Sequence, residues 1–457
     1  MEQLINTTLS SDVDGIHFPP LPGASSVTKL ATLFQLEQSQ WWSVEALLKL
    51  QLRQTQALLK HAIKNTAYYN HARYKKINLS NLSYDDWLTL PLLTRDEIQQ
   101  AGSNLCSQSV PTSHGKTMKQ VTSGSTGKPI ETIATEINSF FWDVFTLRDH
   151  FWHQRDLSKS LAVIRFNEDP QAKYPNYIHA KNWGKATNNI YKTGDCFVLS
   201  IFTPVEQQIE WLKKVKPHYL LTHPSVLKEL ALYCIDNTIT LPFLKEVRTI
   251  SEAIPDNLRA LCQEAWNVSL VDTYSSVELG YLALQCPEHE HYHVQSEGAL
   301  IEILDDNGMP CKPNEVGRIV VTALHNFAFP LIRYEIGDYA EAGGPCSCGR
   351  GLPVIKRILG RYRNLITLPD GSKVWPKFSL SKMVGCAPVK QFQAVQHEID
   401  HVEYFLICER TLTTTETNCL RELFQNNLHP DILISITEVD KLQRSKNGKY
   451  EEFISHI

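Results

Sequence analysis

No stretch of this chain is apolar for long enough to cross a bilayer. Its first residues, Met1 to Leu21, carry Glu2, Asp12 and Asp14 where a secretory leader needs a basic start and an apolar core. Neither a membrane span nor an export signal is therefore expected. Excess charge of one sign is missing too: 45 Lys and Arg stand against 49 Asp and Glu, a net charge of −4. That balance offers no field for nucleic acid or an anionic membrane and points to a small-molecule site. The 11 cysteines are odd in number and scattered, which argues for reduced thiols in a cytoplasm rather than a disulfide framework. Repeats and low-complexity tracts are absent as well.

At 457 residues the chain exceeds one ordinary core, so two or more domains are expected. Residues 1 to about 40 are weakly patterned and read as an arm over the main body. From Trp41 to Lys60, the residues Val44, Leu47, Leu48, Leu52, Leu58 and Leu59 recur at helical spacing. Thr94 with Glu97 three residues later spells a capping box for a short helix. Ile130 to Ala134 reads as a strand and Asn138 to Trp152 as an aromatic-rich helix. Beyond it, apolar strands at Leu161 to Phe166, Tyr219 to Thr222, Val247 to Ile250 and Val268 to Asp272 alternate with helices at Val205 to Lys214, Ser225 to Cys234 and Pro255 to Trp266. Such alternation implies β-α crossovers and a largely parallel sheet. Ligands of such sheets sit at the carboxyl ends of strands, here the turns after Thr222, Ile250 and Asp272. From His293 the texture turns to β, with strands at Ala299 to Leu304, Gly317 to Thr322 and Leu331 to Tyr334. A last piece from Gly360 places strands at Val402 to Cys408 and Ile432 to Val439 around a helix at Glu416 to Asn426. The expected fold class is α/β. A large domain, 1–359, has mixed or parallel sheets flanked by helices and a β subdomain, and a small mobile α+β domain covers 360–457.

One stretch alternates hydroxyls with glycines and stops at a Lys-Pro: Thr122, Ser123, Gly124, Ser125, Thr126, Gly127, Lys128 and Pro129. Glycines let backbone N–H groups turn inward around an anion, hydroxyls donate further bonds, and a lysine adds a point charge. The stretch reads as a phosphate-holding loop. It is not a Walker A loop, because Thr122 stands where the first glycine belongs and Pro129 where the hydroxyl belongs.

Four further pieces follow in order: Asp272 to Glu278 (DTYSSVE), Pro330 to Asp338 (PLIRYEIGD), Gly360-Arg361, and Arg444 to Lys449 (RSKNGK). With the loop, they resemble the adenylate-forming enzymes and, within them, the phenylacetate–CoA ligase family, from about residue 45 to the C-terminus. The resemblance implies that a carboxylate attacks the α-phosphate of ATP, giving an acyl-adenylate and pyrophosphate, and that a thiol or amine then displaces AMP. Charge that concentrates at phosphorus calls for fixed cations and N–H donors, which fits these residue types independently. By the resemblance, Thr122 to Lys128 hold the β and γ phosphates and Glu278 helps place Mg²⁺. Asp338 takes the ribose hydroxyls, and Tyr274 packs near the adenine. Lys449, on the mobile domain, bridges the substrate carboxylate and α-phosphate, with Arg333 and Arg361 as secondary cations; Glu252 and Asp272 complete the nucleotide set. Two positions depart from the family: Val277, where a Ser or Thr usually precedes the glutamate, and Arg363, where a hinge aspartate belongs.

A second constellation is Cys286, the run Glu288 to His293, and Cys346 with Cys348. Two cysteines one residue apart, a distant cysteine and a nearby histidine make a set for a tetrahedral S₃N structural Zn²⁺. The related ligases select Cys286, His293, Cys346 and Cys348. The acyl pocket is expected beside the aromatic helix, with Phe141 and Phe145 as walls, and near His223 and Ser251. The whole reads as an ATP-dependent ligase of an aryl or cyclic acid with coenzyme A as the expected acceptor. An amine, a carrier-protein thiol, and a non-catalytic nucleotide-binding relative are the alternatives. No nucleic-acid or membrane partner is expected, and a homodimer is compatible.

Overall fold

The computed structural model describes residues 9–122, 129–361, 365–374, 380–428, 430–445 and 448–457. Its contacts divide it into two compact units, Met1–Leu359 and Gly360–Ile457, each described here by itself.

The first unit opens with the helices Ala24–Ser39 and Val44–Asn65. The arm expected over residues 1–40 thus contains a helix. The Thr94 capping box forms as read, opening Arg95–Ala101. An antiparallel hairpin follows, β1 (Thr117–Val121) with β2 (Glu131–Thr135), and then the aromatic helix Glu136–Trp152. The next twelve strands form one sheet: β3 (Leu161–Arg165), β4 (Ile178–Ala180), β5 (Cys196–Ser200), β6 (Tyr219–Thr222), β7 (Glu246–Ile250), β8 (Ser269–Ser276), β9 (Gly280–Gln285), β10 (Tyr292–Val294), β11 (Ala299–Leu304), β12 (Val316–Ala323), β13 (Tyr334–Ala342) and β14 (Val354–Arg361). Their spatial order is β11-β12-β13-β14-β10-β9-β8-β7-β6-β3-β5-β4.

β5, β3, β6, β7 and β8 run parallel, as the strand–helix alternation requires. The helices Pro224–Asp236 and Leu258–Trp266 make the crossovers from β6 to β7 and from β7 to β8. Their apolar sides, with Val205–Val215, close a core around Trp211, Leu220, Leu227, Leu230, Val247 and Leu258. From β8 onward the pairing is antiparallel, so the expected β subdomain continues the same sheet. Burial here contributes about 1.5–3 kcal/mol per large apolar side chain before the entropy of ordering is set against it.

One strand differs from the sequence reading. Leu331 to Arg333 are not a strand, and β13 starts at Tyr334, because Arg333 takes a φ of +50°, which breaks an extended run.

The second unit has a short pair, β15 (Ile366–Thr367) with β16 (Lys373–Val374), and a four-stranded sheet. That sheet contains β17 (Val389–Glu398), β18 (His401–Cys408), β19 (Leu433–Glu438) and β20 (Phe453–Ser455) in the order β19-β18-β17-β20. The helices Leu380–Cys386 and Thr414–Asn427 pack on it, with Tyr404 stacked on Phe424 at 3.6 Å. They bring Cys386 and Cys419 to a Cα separation of 5.5 Å and join them in a disulfide, a correction to the expectation of reduced thiols at this pair. No helix among the described residues is long and apolar enough to cross a membrane.

Candidate functional site

The parallel strands end side by side, with Thr222 paired to Thr249 and Ile250 to Thr273, so the turns after Thr222 and Ile250 share one edge of the sheet, whereas β8 runs on past Asp272 to Ser276 instead of turning there. Past that edge β8 carries Tyr274, and its Oη donates a 2.7 Å hydrogen bond to Asp338 Oδ2. Asp338 occupies an inward position of β13, where Tyr334, Ile336, Ala340 and Ala342 are buried in strict alternation. Two stretches 64 residues apart are thereby joined at the two residues expected to meet the nucleoside. Glu278 is buried in the tight turn between β8 and β9, where Leu279 N–H is held by Ser276 Oγ at 3.2 Å, and Val277 beside it is 49% exposed.

The glycine-rich stretch links β1 to β2 in the chain. Thr122 N–H donates to Ile130 O, and Ile130 N–H to Thr122 Oγ1, both at 3.0 Å, which pins the mouth of the loop. Ser123, Gly124, Ser125, Thr126, Gly127 and Lys128 lie outside the described residues, as does Arg363.

Asp272 sits fully inside the sheet. Thr249 Oγ1 donates to its Oδ1 at 2.6 Å and Tyr292 Oη to its Oδ2 at 2.7 Å. Burial pushes its pKa up, against those donors. The Thr273 backbone N–H is a third donor to this carboxylate. Glu252 Oε2 accepts from Ser225 N–H at 3.0 Å, an anion at the first turn of Pro224–Asp236, and its Oε1 is 3.5 Å from His223 Nδ1. Ser251, exposed beside it, takes a φ of +75°.

Arg333 is corrected. It is 2% exposed, its Nε and Nη2 lie 3.1 and 2.9 Å from the two oxygens of Glu302, and its Nη1 donates to Leu88 O and Leu90 O. A guanidinium so engaged has four of its five N–H donors spent inside the domain, which argues against a role as a phosphate cation. Phe145 is corrected likewise. It is 2% exposed in the core against Tyr281, and a Cβ at Gly298 would stand 2.7 Å from its ring. Phe141 remains half-buried and stacks flat on His325, with ring centroids 3.8 Å apart. Burial lowers the His325 pKa to about 4, so that imidazole is neutral.

Arg361 ends β14. In the second unit, Lys449 N–H donates to Ser445 Oγ at 3.1 Å and Ser445 N–H to Lys449 O at 2.8 Å, and Lys446 and Asn447 lie outside the described residues.

Cys286, His293, Cys346 and Cys348 come together, every ligand atom within 4.8 Å of the others. Cys286 Sγ lies 3.9 Å from Cys346 Sγ, and Cys348 Sγ 3.3 Å from His293 Nε2. Tetrahedral zinc with bonds of about 2.0–2.3 Å sets edges of about 3.5–3.8 Å, so the donor set fits. Leu352 O, 3.4 Å from His293 Nδ1, favours the proton there and leaves Nε2 for a metal. His291 adds a third neighbour, its Nε2 3.0 Å from Cys346 Sγ.

Sequence reasoning missed Glu302, Tyr292, Thr249 and His325. Glu302 alone left a signal, since it is a charge at an inward position of β11.

Residues 366–456 match the model of the CapK C-terminal domain. Over 389 residues the chain is 22% identical to Protein CapK of Staphylococcus aureus, covering 79% of this chain and 78% of CapK. It is 27% identical over 181 residues to the phenylacetate-coenzyme A ligase of Thermus thermophilus, covering 37% of this chain and 40% of that one. Among solved structures, 2-hydroxyisobutyryl-CoA ligase in the postadenylation state with R3-HIB-AMP gives a TM-score of 0.70 at 15% identity, over 92% of this chain and 91% of that one. Anthranilate CoA ligase AuaEII with anthranoyl-AMP gives 0.52 at 16% identity, over 72% and 65%. At such identities the likeness to the solved structures is one of fold.

Proposed function

We propose that this chain, which has the fold of the adenylate-forming ligases and is related in sequence to phenylacetate–CoA ligase and to CapK, activates a small carboxylic acid with ATP as an acyl-adenylate and passes the acyl group to coenzyme A. The observation that carries this reading is the Tyr274–Asp338 hydrogen bond, which places an acceptor carboxylate and an aromatic ring together beyond the carboxyl edge of the parallel strands. Asp338 accepts the ribose hydroxyls, Tyr274 packs by the adenine, and the loop from Thr122 to Lys128 holds the leaving pyrophosphate. Lys449 bridges the acid and the α-phosphate, with Arg361 as a further cation. Glu278 offers a hard oxygen to Mg²⁺, which when bound offsets phosphate charge. The acid lies by Phe141, His223 and Ser251, where a flat ring would be matched by the Phe141–His325 stack. Zinc at Cys286, His293, Cys346 and Cys348 is structural, since four protein ligands close a tetrahedral site.

Pyrophosphate release over a panel of aromatic, cyclic and fatty acids tests the reading. Release with an aryl or cyclic acid is expected, and none with any acid would sink it. Mass analysis after adding coenzyme A, free amino acids or a carrier protein identifies the acceptor. A thioester of coenzyme A is expected, and an amide would replace the acceptor while leaving the adenylation half intact.

A further inference from the structure

The β9–β10 hairpin holds two of the four metal donors. Cys286 follows β9, His293 lies on β10, and the hairpin is closed by Cys286 N–H donating to His291 O at 2.8 Å. Adjacent residues of a strand face opposite ways. His293 therefore turns toward Cys348, while Tyr292, one residue earlier, turns to Asp272 and donates to it at 2.7 Å. Both ends of that bond are inside the protein, with Tyr292 6% and Asp272 4% exposed. Asp272 and Tyr274 are two residues apart on β8, and Tyr274 bonds Asp338. β9 lies between β8 and β10, with Leu284 paired to Thr273 on one side and to His293 on the other. A run of packed and hydrogen-bonded groups thus leads from the metal donors through Tyr292 and Asp272 to the nucleoside pair.

We propose that Tyr292 is a positioning residue that couples the metal cluster to the nucleotide site, so that zinc bound by Cys286, His293, Cys346 and Cys348 tightens adenine-nucleotide binding. The proposal rests on the function proposed above for the Tyr274–Asp338 pair. Zinc would give three thiols and an imidazole one common partner, adding to the β9 and β14 pairing that already holds β10 and narrowing the geometry in which the phenol of Tyr292 meets Asp272. By reciprocity, AMP tightens zinc binding by the same factor that zinc tightens AMP binding.

The test uses the full chain, zinc-loaded or stripped with a chelator. AMP affinity is measured by calorimetry, and amide exchange is followed over residues 269–276. Tyr292→Phe removes one hydroxyl and keeps the ring. Zinc stoichiometry is expected to hold, exchange over 269–276 to rise, and AMP binding to weaken about fivefold or more. Stripping zinc from the wild type should do the same and add little in Tyr292→Phe, the non-additivity of a shared path. Thr249→Val removes the other hydroxyl from Asp272 but lies on β7. It should weaken AMP binding while zinc still tightens it. Should the stripped protein unfold, zinc competition with and without AMP on the folded protein reads the reciprocal coupling, present in the wild type and lost in Tyr292→Phe. Exchange and AMP affinity unchanged in Tyr292→Phe, or equal losses on stripping in both proteins, would overturn the proposal, as would failure to take up zinc. A wild type that binds no AMP refutes the ligase reading instead, and the exchange measurement still decides the coupling.

Discussion

Arg333 and Glu302 form a buried two-point ion pair, Nε and Nη2 standing 3.1 and 2.9 Å from the two carboxylate oxygens. Trp87 Nε1 donates to Glu302 Oε2 at 3.2 Å, so the pair also anchors the helix Tyr84–Leu88. Removing one partner leaves an uncompensated charge in the interior. Arg333→Ala should destabilise the first unit by about 3–5 kcal/mol. Lysine cannot reproduce the fork, so Arg333→Lys should recover only part of that. Denaturant titration checks both. A variant of wild-type stability with impaired adenylation would return Arg333 to the phosphate role that its burial argues against.

Asp338 should matter to nucleotide binding rather than to folding. A charged acceptor of ribose hydroxyls contributes about 1.5–3 kcal/mol, so Asp338→Ala should weaken AMP about tenfold to a hundredfold. Tyr274→Phe removes the phenol that orients that carboxylate and should cost less. Equilibrium binding of AMP to the two variants gives the order, and an Asp338→Ala protein with wild-type affinity would dismiss the assigned role.

Lys449 is expected to act on the first half-reaction alone. Lys449→Ala should lower acid-dependent pyrophosphate exchange by about a hundredfold or more, the scale on which fixed charges stabilise a transition state. ATP binding should be retained, since the ribose contacts proposed for Asp338 do not involve it. Supplying a preformed acyl-adenylate separates the steps. Thioester formation from it at near the wild-type rate is expected, and a full loss there would move Lys449 to both half-reactions.

The parallel half of the sheet was legible because strands buried on both faces read as unbroken apolar runs between amphipathic helices. Tyr219–Thr222 forms at the bounds expected, and in the antiparallel half so does Ala299–Leu304. β17 left no such trace, because two of its buried positions are glutamines, Gln393 and Gln396, and Gln396 Nε2 reaches Thr367 O at 2.7 Å instead of an apolar neighbour. In the site, Asp338 was legible as part of a motif, and the metal set as spaced cysteines. The engagement of Arg333 was not, since Glu302 precedes it by 31 residues and lies on β11, while Arg333 lies in the connection before β13. Motif resemblance carries residue identity, while what a guanidinium touches is decided by long-range packing.

The helix Glu136–Trp152 carries the buried His150 and is capped by the partly buried His153, and these two set a pH window. Asp149 Oδ2 is 2.7 Å from Arg155 Nη1 and is also bound by Arg248, and Arg155 Nε reaches Glu246, which ties the helix to β7. His150 Nδ1 lies 3.3 Å from Arg155 Nη1, so it accepts and is neutral. Burial holds the His150 pKa well below its ordinary value and the His153 pKa at about 4, with the neighbouring Arg155 and Arg248 adding to both against the pull of Asp149. The unfolded chain titrates these groups near about 6.5. Between that value and about 4, the unfolded state holds protons that the folded state does not, so stability falls as the pH falls through this window. Each histidine contributes a slope of up to about 1.4 kcal/mol per pH unit. Asp149 works in the same direction lower down. Burial raises its pKa, but Arg155 and Arg248 outweigh that and depress it, so its stabilisation is present above about 3.9, the unfolded value, and is lost only below it. Urea midpoints at pH 7, 6 and 5 should therefore decline, and His153→Asn should flatten the decline between pH 6 and 5. An unchanged slope in that variant would mean that His153 takes up its proton in the folded state, which its burial opposes.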